Sequence, residues 1–216
     1  MDTQDARTAT VILAAGDYPK SPAALSVLRG AERVICCDGA AAAYVASEGR
    51  QPWRVVGDCD SLPAALRRDL GPALVHIAEQ ETNDLTKAVS YAADRGYRAM
   101  TILGATGRRE DHTLGNISLL VDYMRRGLDV QMITDHGTFI PCRDTYRSDD
   151  VTPGTQVSIF SFGATRLSAD GLRYPLHDLT NWWQGTLNEV TASSLTIRAE
   201  GDFLVFINSA TENHRE

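Results

Sequence analysis

From Thr10 to about Thr134, short apolar runs rich in Val, Ile and Leu alternate with segments whose apolar positions recur every three to four residues. The runs are Thr10–Ala14, Arg33–Cys36, Arg54–Val56, Leu74–Ile77, Ala99–Leu103 and Val130–Ile133, and they read as strands covered on both faces. Between them, Ser21-Pro22 reads as an N-cap followed by Pro at the first helical position, opening a helix toward Arg29. Pro63 opens another through Leu70. Leu85, Ala88, Val89 and Ala92 recur at helical spacing, as do Leu114, Ile117, Val121 and Met124 before Gly127. The alternation predicts an α/β fold, a Rossmann-like and mostly parallel sheet with helices on both faces.

After about Tyr146 the grammar changes. Gly154, Gly163, Asp170-Gly171, Gly185 and Gly201-Asp202 punctuate short runs such as Gln156–Phe160, Ser194–Ala199 and Phe203–Ile207. Turn residues at that spacing predict a small all-β domain, with the boundary placed between residues 143 and 144 and the domains spanning 1–143 and 144–216. So short a second domain buries a small share of its own surface, and packing on the first domain or on a second copy is expected of it.

Composition narrows the functional classes. Of 216 residues, 43% are hydrophobic and 23% charged, which excludes a disordered or collagen-like chain. Lys and Arg total 21 against 28 Asp and Glu, a formal charge of −7, and Lys20 and Lys87 are the only lysines. That balance argues against a nucleic-acid binder, which presents a basic face. No apolar run approaches the ~18 residues of a membrane span, and the polar start is unlike a secretory leader, so no membrane association and a cytoplasmic location are expected. Cys36, Cys37, Cys59 and Cys142 form no CxxC pair and no metal-ligand spacing with His, and they read as reduced core thiols.

The candidate chemistry lies where the strands of the first domain end. The second strand runs into Asp38-Gly39, the third into Gly57-Asp58-Cys59-Asp60-Ser61, the fourth into Glu79, Glu81, Asn83 and Asp84. The fifth runs into Gly104-Ala105-Thr106-Gly107, followed by Arg108, Arg109, Asp111 and His112. In an open α/β sheet these loops share one edge, where ligands bind. Carboxylates crowded there repel one another, and a hard divalent cation such as Mg²⁺, which prefers oxygen ligands and usually holds substrate phosphates too, relieves that repulsion. Gly104 and Gly107 would let backbone N–H groups approach an anion, with Arg109 as a bidentate phosphate partner. Together these residues point to metal-assisted phosphoryl chemistry on a nucleotide.

Each piece alone has a plainer reading. Asp58-x-Asp60 fits a surface turn or a cap for the helix at Pro63, Asn83-Asp84 fits a helix cap and its first-turn acid, and Gly104-x-x-Gly107 fits a strand-to-helix turn. Asp111 and His112 fit first-turn polar positions; what shifts the balance is their joint placement. His76, His136, His177 and His214 lack such company and read as structural. There is no GxxxxGK[ST], which excludes a Walker-type kinase, and no GxGxxG after the first strand, which weighs against a nicotinamide dehydrogenase.

Six elements in order carry a resemblance. Asp38-Gly39-Ala40 looks like a DGG/DGA element, Gly57 to Ser61 like GDxDS, and Glu79 to Asp84 like DQDxTD. Gly104 to Asn116 is similar to GATGGRxDHxLxN, while Gly171 to Leu176 and Gly185 to Glu189 are similar to GLxYPL and STSNE. With these, the chain resembles the thiamine pyrophosphokinase family, which moves the pyrophosphoryl unit of ATP to thiamine and releases AMP. The resemblance implies an α/β catalytic domain, a β-sandwich thiamine-binding domain and a homodimer with active sites at the subunit interface. By position it implies Asp58, Asp60 and Asp84 as Mg²⁺-linked catalytic carboxylates and Arg109 as a catalytic cation. It implies Asp38, Gly39, Gly104, Gly107, Asp111 and His112 around ATP, and Thr186 and Asn188 toward thiamine. Arg108 stands where the pattern has its second Gly, Asn83 where it has Thr, and Thr186-Leu187 where it has serines. Trp182 or Trp183 would stack on the cationic thiazolium, a role that a structural aromatic position fits equally. Rival readings are a metal-dependent sugar-nucleotide transferase and a non-enzymatic nucleotide- or thiamine-binding module.

Overall fold

The computed structural model describes residues 7–60 and 62–209, so Ser61 and His214 lie outside the described residues. Two compact units divide the chain, 1–135 and 136–216. The boundary expected at 143/144 falls inside a strand that runs unbroken over Gly137–Ser148.

In the first unit the strands are β1 (Thr10–Leu13), β2 (Arg33–Cys37), β3 (Arg54–Gly57), β4 (Leu74–His76), β5 (Ala99–Leu103) and β6 (Asp129–Ile133). They lie in the order β6-β5-β1-β2-β3-β4, every neighbouring pair parallel, with Ile12 of β1 opposite both Ile35 and Ile102. Helices α1 (Pro22–Gly30), α2 (Ala41–Glu48) and α3 (Ala64–Leu70) link β1 to β4 stepwise. Helix α4 (Asp84–Asp94) then carries the chain back to β5 beside β1, and α5 (Glu110–Arg125) leads to β6. Right-handed crossovers put the two groups of helices on opposite faces, and the direction reverses between β1 and β5.

Alternating side chains serve the two faces. Val11, Leu13, Val34, Cys36 and Val55 pack with Ala24 and Leu28 of α1, Ala41 and Tyr44 of α2 and Leu70 of α3. Helix α4 packs on β1, β2 and β3 through the other face, with Leu85, Ala88, Val89 and Ala92 all buried. Ser21 caps α1 as expected, its Oγ accepting from Ala24 N at 3.2 Å. On α5 the buried residues are Leu120, Val121 and Tyr123, while Leu114 is exposed, so the expected stripe holds only in the helix's second half.

The second unit is all-β. Strands β7 (Gly137–Ser148), β8 (Gln156–Ser161), β9 (Thr165–Asp170), β10 (Asn188–Glu189) and β11 (Leu195–Asn208) pair antiparallel throughout. One edge of β11 pairs with β7; the other takes β9 along Thr196–Glu200 and β8 along Phe203–Ile207. The register shifts between Arg198 and Asp202, where Gly201 at φ +111° makes a bulge whose amide donates to Asp144 Oδ1 at 2.9 Å. Residues from both halves of β11, Leu195, Ile197, Phe203 and Val205, share one core with Val157, Ile159 and Leu167. Among the described residues no helix is long and apolar enough to cross a membrane.

Candidate active site

The loops after β1 and β5 meet at the reversal of strand order. Their backbones continue the strand pairing: Gly16 N donates to Gly104 O at 2.7 Å and Asp17 N to Thr106 O at 2.8 Å. A side chain at Gly16 would meet Thr106 O at 2.4 Å, and at Gly107, φ +92°, would meet the Asp17 carboxylate within 2.8 Å. A Cβ on Gly104 would stand 2.9 Å from Ala14 O. The expected reason for Gly104 and Gly107 was anion approach; the contacts show that both are needed first for this loop-to-loop closure. Gly39 abuts the same loop, with a Cβ placed 3.1 Å from that of Ala15.

Against this floor lies a cleft of about 480 Å³ within the first unit. Of the residues expected to act, Asp58, Asp84, Arg109 and His112 line it. Asp38, Gly39, Asp60, Gly104, Gly107 and Asp111 do not line it themselves but flank those that do.

The carboxylates converge on Gly57, the last residue of β3. A Cβ there would lie 2.7 Å from Asp38 Cβ and 3.3 Å from Asp84 Oδ1, so glycine is what allows the two acids to approach β3. Asp38 is buried, Asp84 half-buried. Asp58 follows Gly57 directly, and its Oδ1 accepts from Asp60 N at 3.2 Å. That amide first, then the Gln80 amide side chain and the charge of Lys87, hold the Asp58 carboxyl below the usual carboxylate range. Asp60 is exposed, so the turn reading describes its backbone role while its side chain faces solvent. Cys59 between them is buried at φ +65°.

Asp84 is the first residue of α4, capped by Asn83, whose Oδ1 accepts from Thr86 N at 2.9 Å. Asn83 and Asp84 are thus a helix cap and its first-turn acid, and both also line the cleft. Asn83 Nδ2 also donates to Asn116 Oδ1 at 3.2 Å, and Asn116 Nδ2 to Ala105 O at 2.9 Å, tying the start of α4 to the loop after β5. Lys87, one turn along, is buried and donates to Asp84 Oδ1 at 3.3 Å. Burial pushes the nearby Cys37 thiol up, with the charges of Asp84 and Asp38 adding to the effect, so Cys37 stays protonated.

Among the described residues no three His, Cys, Asp or Glu side chains form a ready metal cage. The donors present nevertheless suit Mg²⁺, which keeps several waters and takes only one or two carboxylates plus phosphate oxygens. Asp58 and Asp84 supply that number in the cleft.

The loop before α5 adds two arginines to the cleft lining, Arg108 and Arg109. Arg109 immediately precedes α5 and donates to Asp111 through Nε at 3.1 Å and Nη2 at 2.5 Å. Asp111 also accepts from His112 N at 2.9 Å. The Arg109 hydrogen bonds chiefly, then the His112 amide, bring the Asp111 carboxyl down to about 2. Asp111 thus orients Arg109 rather than facing the cleft. Sequence reasoning left Lys87, Arg108 and Asn116 out of the site, although all three line the cleft. The signal for Lys87 was its place one turn after Asp84 on the buried face of α4.

In the second unit, Asn188 is buried and spends its amide within the unit: Oδ1 accepts from Tyr174 N at 3.1 Å and Glu189 N at 2.9 Å, and Nδ2 donates to Tyr174 O at 2.9 Å. Thr186 is exposed and donates to Trp183 O at 2.7 Å. The two tryptophans differ. Trp182 donates to Ser161 O at 3.0 Å and packs edge-on to Phe160, whereas Trp183 is 72% exposed; Leu187, at φ +59°, is exposed as well.

Two family models match the chain, one described as "Thiamin pyrophosphokinase, catalytic domain" over residues 24–132 and one as "Thiamin pyrophosphokinase, substrate-binding domain" over 137–206. The chain is 30% identical over 168 residues to a thiamine pyrophosphokinase of Bacillus subtilis, covering 73% of this chain and 78% of that one. A thiamine pyrophosphokinase crystal structure from Bacillus subtilis superposes with a TM-score of 0.77 at 24% identity, over 94% of this chain and 100% of that one. The yeast thiamin pyrophosphokinase gives 0.76 at 15% identity, over 92% and 86%. Neither a sugar-nucleotide transferase nor a non-enzymatic module is favoured by these matches. The first model falls on the unit that holds the acidic cleft and the second on the all-β unit, and the chain belongs to the thiamin pyrophosphokinase family, a family of diphosphotransferases.

Proposed function

We propose that the protein transfers the pyrophosphoryl group of ATP to the hydroxyethyl oxygen of thiamine, giving thiamine diphosphate and AMP. The observation that carries the reading is that the stretch matched by the catalytic-domain model supplies most of the loops around the cleft, and that Asp58, Asp84 and Arg109 line it together. In this reading the thiamine hydroxyl attacks the β-phosphorus in line and AMP leaves, a reaction governed by positioning and electrostatics more than by covalent help from the protein. Asp58 and Asp84, with Asp60 at the rim and Asp38 buried behind them, would hold Mg²⁺. Bound there, the cation would neutralise phosphate charge. Arg109, aimed by Asp111, offsets charge that develops on the transferred group, and His112 borders the phosphates. A carboxylate of the acidic group accepts the hydroxyl proton. Gly39, Gly104 and Gly107 shape the nucleotide's floor.

For thiamine, exposed Trp183 is the candidate to cover the cationic ring, with Thr186 beside it and Asn188 holding the backbone at Tyr174. We further propose a homodimer in the cytoplasm, with domains whose division follows the two compact units. Purified protein with ATP, Mg²⁺ and thiamine should release AMP and thiamine diphosphate one to one, and chelation should abolish both. Intact ATP would overturn the reading. A solution mass of about twice 23.5 kDa tests the dimer.

A further inference from the structure

Among the described residues, three Lys or Arg side chains line the cleft, and they differ in how firmly they are held. Lys87 is buried and paired with Asp84 at 3.3 Å. Arg109 is clamped by two hydrogen bonds to Asp111. Arg108 is 65% exposed, and among the described residues its ion pair is with Asp17 at 4.0 Å, beyond hydrogen-bond reach and screened by solvent. A guanidinium carries five donors in a planar fork, and those of Arg108 are the ones least committed to the protein.

The backbone places this side chain with some care. Asp17 is fixed against Gly107 by the paired loops, and Arg108 follows Gly107 directly, at the rim of the cleft. The position is also one where this chain departs from the GATGGRxDHxLxN pattern, carrying Arg in place of Gly. A polyphosphate entering a cleft that already holds Asp58 and Asp84 needs compensating positive charge, and the charge of Arg109 is already paired with Asp111.

We propose that Arg108 is an affinity-determining residue for the polyphosphate of the nucleotide: its guanidinium leaves Asp17 and takes phosphate oxygens, so that nucleoside triphosphate is held more tightly than monophosphate. This rests on reading the cleft as the nucleotide site.

Calorimetry of the full chain with ATP, inorganic tripolyphosphate and AMP, each with Mg²⁺, tests it for wild type, Arg108→Ala and Arg108→Lys. Loss of a charge-assisted fork predicts that Arg108→Ala weakens ATP and tripolyphosphate by at least about tenfold and AMP by less than about twofold. Arg108→Lys should fall between. Because the side chain is exposed, circular dichroism of the variants should match wild type. Unchanged ATP affinity in Arg108→Ala, or an equal loss for ATP and AMP, overturns the proposal while leaving the cleft reading intact. Wild-type protein that binds no ATP removes both, and that result is seen before any variant is made.

Discussion

Lys87 reaches back one helical turn to Asp84 at 3.3 Å, the lysine side chain 3% exposed and the aspartate 37%. A buried ammonium tolerates this position because the carboxylate supplies opposite charge, and the carboxylate is in turn held at the cleft wall. Lys87→Met removes that hold but leaves a carboxylate still open to solvent, so the cost in stability is expected to be about 1–3 kcal/mol rather than the full penalty of a buried orphan charge. Turnover should fall at least ~10²-fold. Thermal denaturation together with steady-state rates checks both, and a variant with wild-type turnover would remove Lys87 from the site.

The acids around Gly57 are expected to be unequal. Asp58→Asn and Asp84→Asn should each cost at least ~10²-fold in turnover, the scale for one preorganised electrostatic group. Asp60→Asn should cost less than either, because its side chain points to solvent and its contribution to the loop is a backbone amide. AMP release under saturating ATP and thiamine ranks the three.

Gly57→Ala asks for space that is not there. The new methyl group would sit 2.7 Å from Asp38 Cβ. Overpacking of that kind costs about 1–3 kcal/mol, and the displaced carboxylates should lower turnover in parallel. Unfolding midpoints in urea and initial rates give the two numbers.

Acid should leave the Arg109–Asp111 clamp in place until late. The Asp111 carboxyl is lowered to about 2, so the clamp's contribution is present above the unfolded carboxylate value near 3.9 and is lost as pH falls through about 2. Carbonyl-carbon NMR should show Asp111 titrating near 2, and Arg109→Ala should return it toward 3.9. An Asp111 midpoint near 4 in wild type would mean that the clamp does not form in solution.

The tryptophans should separate packing from binding. Trp182→Ala removes a ring seated against Phe160 and Phe162 and should lower stability by about 1–3 kcal/mol. Trp183→Ala should leave the unfolding midpoint unchanged and raise the KM for thiamine. Equal KM values for wild type and Trp183→Ala would rule out stacking at that ring.

Much of the first unit was legible because parallel, doubly covered strands are continuous Val, Ile and Leu runs: all six observed strands lie within a residue of their expected bounds at both ends. The second unit was less legible for physical reasons. Strand β7 is exposed along much of its second half and contains Pro141 and Asp144, the latter at φ +61°, so it lacks a clean alternation. Strand β9 buries only Leu167. Gly201-Asp202 read as a turn between two strands, yet it is a bulge inside one, because Asp144 and Arg143 of β7 take up the Gly201 amide and the Asp202 carboxylate. At the site, acids announced themselves by type and position. Lys87 was marked only by its place one turn after Asp84 on an apolar helix face, a weaker signal than the acids' own.

Strand β11 has a bearing on how the protein is made. Its Asn208 pairs with Gly137 at the start of β7, and its two halves supply the partners for β8 and β9. During synthesis the first unit's pairings are all complete by Ile133, and that unit is free to fold while the rest is still being translated. The second unit has no such partial solution. Until its final strand is released, β7, β8 and β9 have no shared neighbour, so this half of the molecule is expected to fold late, from contacts of long sequence separation, and more slowly than the half that precedes it.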